Sequence, residues 1–102
     1  LSPVHGALTM RLWVIVYDIA DDRRRRRLAG VLGRRAERVQ ESVFEAWLSG
    51  AELRALLAEV AAVIEPAADA VRAYPLALRT ASRRETLGAQ SATARPSDYW
   101  LA

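Results

Sequence analysis

The stretch LWVIVYDIADDRRRRRLAGVL, residues 12–32, holds an apolar run, an acidic break and an arginine-led segment in succession. Its first part, LWVIVY at 12–17, is rich in β-branched and aromatic residues, the composition of a strand. Alternation puts Leu12, Val14 and Val16 on one face and Trp13, Ile15 and Tyr17 on the other. Both faces are apolar, which predicts a central strand covered on both sides. Helices of the same chain can cover one face. A chain of 102 residues has little left for the other, so a second copy is the expected cover. Asp18 ends the strand, and Asp21 or Asp22 is placed to cap a helix running to about Gly33. Leu28, Val31 and Leu32 give that helix a narrow apolar stripe, and Gly33 is its expected C-cap. The arginines at 23–27 fill its first turns, where the helix dipole favours negative charge by roughly 0.3–1 kcal/mol per group. Such a run reads either as a solvated face or as the sign of an anion nearby.

Beyond Gly33, RVQESVFEAWL at 38–48 is strand-like, with Val39, Val43 and Trp47 on one parity and Phe44, Ala46 and Leu48 on the other. It is long enough for one bent strand or for two short strands around a tight turn, and no Gly or Pro marks a turn. Ser49 and Glu52 stand at capping-box spacing. Leu53, Leu56, Leu57, Val60 and Ile64 then recur at helical spacing, predicting a helix to about Ile64 that Pro66 closes. In DAVRAYPL at 69–76, Val71 and Ala73 alternate with Arg72 and Tyr74, and Pro75 splits the strand or marks an edge. RETLGAQ at 84–90 reads as one more short strand, and 91–102 as a loose tail despite Tyr99 and Trp100. The literal order is β-α-β-α-β-β. A ferredoxin-like β-α-β-β-α-β order needs two strands between the helices. Either order gives an α+β sandwich with two helices on one face of a sheet.

Composition bounds the chemistry. Apolar residues make up 52% and charged residues 26% of the chain, as in a single globular domain. That domain is expected over 10–90, with Met10 as the natural start and residues 1–9 a vector remnant or alternative start. No apolar run approaches the roughly 20 residues of a membrane span, and the prefix lacks a secretory pattern, so a cytoplasmic location is expected. With no Cys and a single His, His5, the chain cannot build thiolate chemistry, a zinc-thiolate site or a multi-His centre alone. All fifteen basic residues are Arg, which a GC-rich coding sequence explains; a net charge of +3 and a pI near 10.2 nevertheless suit an anionic partner.

Carboxylates and arginines must therefore carry any activity. Asp18, at the end of a central strand and just before a helix, is placed either as a turn residue or as a cation ligand. Mg²⁺ keeps several waters and needs only one or two carboxylates, so two copies of Asp18 facing each other across a dimer axis would suffice. Asp21 and Asp22 read as caps, and Glu41 and Glu45, on one strand parity, as solvent-facing. Trp13 and Tyr17 would stack bases only on an open sheet face, and burial in a dimer is their expected fate. No Gly-rich phosphate loop or dinucleotide fingerprint is present.

The run VYDIADDRRRRRLAGVL, followed by RVQESVF and DAVRAYPL, resembles the CRISPR-associated protein 2 family over roughly residues 10–78. The resemblance implies a ferredoxin-like β-α-β-β-α-β fold and a homodimer packed sheet to sheet, often with a last strand crossing to the partner. It implies a part in spacer acquisition, bridging the CRISPR integrase subunit and holding DNA. In several members it implies a Mg²⁺-dependent endonuclease acting on single-stranded RNA or duplex DNA, with Mn²⁺ as a substitute; other members are scaffolds only. The family's catalytic, metal-binding Asp falls on Asp18, and positions implicated in activity or nucleic-acid contact fall on Tyr17, Arg25, Arg27, Arg38 and Phe44. Two departures stand out. Ala36-Glu37 replaces a frequent Gly before the Arg-Val-Gln step, and the arginine run is denser than usual.

Overall fold

The computed structural model describes residues 9–89; the expected tail at 91–102 and all of the prefix except Thr9 lie outside them. Strand β1 (Met10–Asp18) is followed by helix α1 (Asp22–Gly33), the hairpin β2 (Glu37–Gln40) and β3 (Val43–Ser49), helix α2 (Gly50–Ala61), strand β4 (Ala70–Leu76) and a short helix α3 (Leu78–Ala81). The strands form one sheet in the order β2-β3-β1-β4, with every neighbouring pair antiparallel. This is the ferredoxin-like arrangement, and the literal β-α-β-α-β-β order is corrected: the 38–48 segment is two strands. The turn between them, at residues 41–42, needs neither Gly nor Pro because long side chains hold it. The Tyr17 hydroxyl and the Arg38 guanidinium both donate to the Glu41 carbonyl, at 2.9 Å and 2.6 Å.

Burial follows the alternation of β1. Ile15 and Tyr17 join Phe44, Ala46 and Leu48 beneath the two long helices, which contribute Leu28, Leu32, Leu53, Leu56 and Val60. Leu28, Leu32 and Leu56 are fully buried, each stabilising the fold by about 1.5–3 kcal/mol relative to exposure. Trp13 also packs against this core, its indole N–H donating to the Leu48 carbonyl at 3.3 Å. Trp13 and Tyr17 are thus covered by the chain's own helices and not, as expected, by a second copy.

The helix ends differ in part from expectation. Asp21 is the N-cap of α1, accepting from the Arg24 backbone N–H at 2.8 Å. Gly33 is not a left-handed cap: it is the last helical residue, and Arg34 caps with φ −76°. The Ser49–Glu52 capping box of α2 is closed in both directions. That helix stops at Ala61, and a looser turn carries the chain on to Ile64, whose N–H still reaches the Val60 carbonyl at 3.1 Å. Pro75 lies inside β4, which tolerates it as an edge strand. No strand forms at 84–89; α3 precedes that segment instead, too short to leave a periodic signal.

On the face away from the long helices, Leu12 is only 1% exposed although it lies outside the main core. There α3 packs against β1, and Arg84 meets Glu45 at 3.0 Å. Glu45 is paired with Val14 on this face and is mostly buried, so its expected solvent-facing role is corrected: its partner comes from 39 residues further along. Val14, Val16 and Trp47 remain half-buried here, and the Trp47 indole N–H is buried with no acceptor among the described residues.

Candidate nucleic-acid interface

Asp18 is the last residue of β1, opposite Ala70 of β4, and is exposed. Among the described residues no side-chain hydrogen bond or ion pair engages its carboxylate. Beside it, Val16, Tyr17, Ala70, Arg72 and Tyr74 line a shallow hollow.

The arginine run starts five residues beyond Asp18 and is divided by its contacts. Arg24 turns inward: its Nε and Nη2 donate to the Asp69 carboxylate at 2.8 Å and 3.2 Å. That carboxylate is fully buried and also accepts from the Glu65 backbone N–H at 2.8 Å. The Arg24 hydrogen bonds, aided by the Glu65 N–H and opposed by burial, hold the Asp69 carboxyl below its usual range, and the same bonds raise Arg24. Arg25 bonds to the Ile19 carbonyl at 2.8 Å and to Asp22, tying the helix start to the loop before it. Arg23, Arg26 and Arg27 are exposed and unpaired among the described residues. At i, i+3 and i+4 they share one face of α1. Two guanidinium groups therefore serve the fold and three are offered to solvent, where they are suited to phosphate.

The remaining candidates form a separate cluster. Tyr17 and Phe44 stack with centroids 6.2 Å apart and are 6% and 2% exposed, so neither ring is presented to solvent. Arg38 lies 5.5 Å over the Phe44 ring while holding the Glu41 carbonyl. The structure thus gathers Tyr17, Arg38 and Phe44 around the β2–β3 turn, sets Arg25 and Arg27 at the start of α1, and leaves Asp18 at the end of β1. Arg72 and Tyr74, beside Asp18, escaped the sequence reading. Their alternation was visible, but the pairing that brings them alongside Asp18 was not.

A divalent cation fits Asp18 in part. No group of three His, Cys, Asp or Glu side chains converges among the described residues. One carboxylate can anchor a largely hydrated Mg²⁺, so Asp18 is suited to be half of such a site.

Residues 10–84 match the family model described as CRISPR associated protein Cas2. The chain belongs to the Cas2 family. It is 38% identical over 87 residues to the protein named CRISPR-associated endoribonuclease Cas2 3 of Synechocystis sp., covering 85% of this chain and 95% of the relative. Among solved structures, Streptococcus pyogenes Cas2 is 29% identical with a TM-score of 0.66, covering 76% of this Cas2-family chain and 99% of the other. A chain from a partial Cas6-RT-Cas1–Cas2 complex shares the fold at 23% identity and a TM-score of 0.68, covering 84% and 94% of the two chains. Among the described residues, no helix of this Cas2-family chain is long and apolar enough to cross a membrane.

Proposed function

We propose that this chain works as a homodimer in CRISPR spacer acquisition, binding DNA or RNA and cleaving phosphodiester bonds with Mg²⁺, or Mn²⁺ in its place, at paired Asp18 residues. The observation that carries this reading is the exposed Asp18 carboxylate, unpartnered among the described residues, at the end of a sheet whose second face is only partly covered. A second copy on that face supplies the second carboxylate. When bound, a divalent cation lowers the pKa of a water and polarises the phosphoryl oxygen. The chain's own residues position the strand: Arg23, Arg26 and Arg27 neutralise phosphates, while Arg24 and Arg25 hold the helix that carries them. The relative's name, an endoribonuclease, agrees with this reading. The integrase subunit is the proposed partner, in keeping with the Cas1–Cas2 complex that contains the structural neighbour. Acting on cellular DNA places the protein in the cytoplasm.

A second reading is a non-catalytic scaffold that bridges the integrase and holds DNA. That no group of three His, Cys, Asp or Glu side chains converges among the described residues favours it. Labelled RNA and duplex DNA incubated with the wild type and with Asp18→Asn, in Mg²⁺ or chelator, separate the two. Cleavage lost by both the substitution and the chelator supports the nuclease; binding without Asp18-dependent cleavage supports the scaffold.

A further inference from the structure

Asp69 is the most deeply buried charged residue among those described, and its side chain is fully enclosed. A buried ion pair is a poor source of stability, because an apolar pair of similar volume often does as well. What it supplies is geometry: a guanidinium fork on both oxygens of a carboxylate fixes direction as well as distance. Arg24 meets Asp69 in this way, Nε on Oδ2 at 2.8 Å and Nη2 on Oδ1 at 3.2 Å. Oδ2 also accepts the Glu65 N–H, and the Asp69 N–H returns to the Glu65 carbonyl, each at 2.8 Å. The carboxylate is therefore anchored in a closed turn of its own strand-leading loop before it holds the helix.

The elements joined here are the ones that carry the candidate site. Asp69 immediately precedes Ala70, which lies opposite Asp18 in the β1–β4 ladder. Arg24 stands in the first turn of α1, beside Arg23 and just ahead of the exposed Arg26 and Arg27. Its neighbour Arg25 donates to the Ile19 carbonyl at 2.8 Å, tying the same turn to the residues that leave β1. The end of β1, the start of β4 and the start of α1 thus meet at two arginines. Released from Asp69, α1 would keep its exposed arginines, but their place relative to Asp18 would no longer be fixed from the β4 side.

We propose that Asp69, acting through Arg24, is a positioning residue that sets which phosphodiester bond meets Asp18 when the exposed arginines of α1 grip a strand. This rests on the nuclease reading above and adds to it what fixes the place of the cut. Asp69 touches no substrate, since its side chain is enclosed; it acts by holding α1.

The test uses Asp69→Asn and Arg24→Gln, singly and together, at a temperature where circular dichroism shows each variant folded. End-labelled single-stranded RNA and duplex DNA are incubated in Mg²⁺, and the product ladder, kcat and KM are read. A chain that is merely less stable gives the wild-type ladder more slowly, whereas a displaced α1 spreads the cuts over neighbouring bonds. That spread is the expected result, with kcat lower by about 100-fold and KM within about twofold of wild type. The double variant is expected to be no worse than either single one, because both remove the same pair. Arg24→Lys keeps the charge without the fork, so it carries the test if the other variants do not fold, with a smaller spread expected. Residual dipolar couplings of the backbone amides, measured without nucleic acid, are expected to show α1 reoriented against the sheet in Asp69→Asn. A wild-type ladder and kcat in the folded variants overturn this inference alone, as do additive losses in the double variant. A wild type that cuts neither substrate overturns the nuclease reading, and this inference with it, whatever the couplings show.

Discussion

Arg24 is the second of five consecutive arginines, yet its guanidinium is spent on the buried Asp69 and not on solvent. Asp69→Asn is expected to lower the unfolding temperature at neutral pH, since it removes the charge that Arg24 meets. The pH dependence follows from the sign of the shift. Asp69 is depressed on folding, so its contribution is fully present above the unfolded value of 3.8 and is lost as pH falls through the lower folded value. Thermal melts of wild type and variant should therefore differ at pH 7 and converge in strong acid; a constant gap would contradict the assignment. By contrast, Arg26→Ala with Arg27→Ala is expected to leave the melting temperature nearly unchanged and to flatten the salt slope on duplex DNA by up to about 1.8. Titrating the affinity across salt concentrations checks it. Which arginines turn inward was not legible in the sequence, because Asp69 lies 45 residues from Arg24. Asp18 was legible: a polar residue ending an apolar run needs no distant partner to be noticed.

At the scale of elements, β1, α1, α2 and β4 each announce themselves by local period, and the capping box fixes where α2 begins. The split of β2 from β3 was hidden because the turn is held by Tyr17 and Arg38, one of them 24 residues away, in place of a Gly or Pro signal. Glu45 was misread for the same reason, its partner Arg84 belonging to a segment with no period of its own. Two substitutions test the helices. Ser49→Ala removes the side-chain cap of α2 and is expected to cost about 0.5–2 kcal/mol. Gly30→Ala places a Cβ in open space on α1, where nothing lies within 4 Å, and is expected to stabilise by about 1 kcal/mol. Urea unfolding midpoints measure both, and a destabilised Gly30→Ala would show that this face of α1 is not free.

At the scale of the whole molecule, the two faces of the sheet are treated differently. One is sealed by α1 and α2. The other is covered by α3 and the Arg84–Glu45 pair near Leu12, leaving Val14 and Val16 half-buried and the Trp47 indole N–H without an acceptor among the described residues. An unpaired buried donor costs about 1–3 kcal/mol, which a surface closing over it can recover. The sequence showed that β1 is apolar on both faces; it did not show that the chain itself covers part of the second. Val14→Asp is expected to give a folded monomer, with an unchanged circular dichroism spectrum and half the scattering mass. In the proposed dimer, two copies bring their Asp18 carboxylates to one cation. This arrangement is tested most directly by counting bound Mn²⁺ by electron paramagnetic resonance, in wild type and in Asp18→Asn, with the mass of each sample measured alongside. One ion per two chains in the wild-type dimer and none in a still dimeric Asp18→Asn is the expected result; equal binding in both proteins, or one ion for every chain, would contradict it.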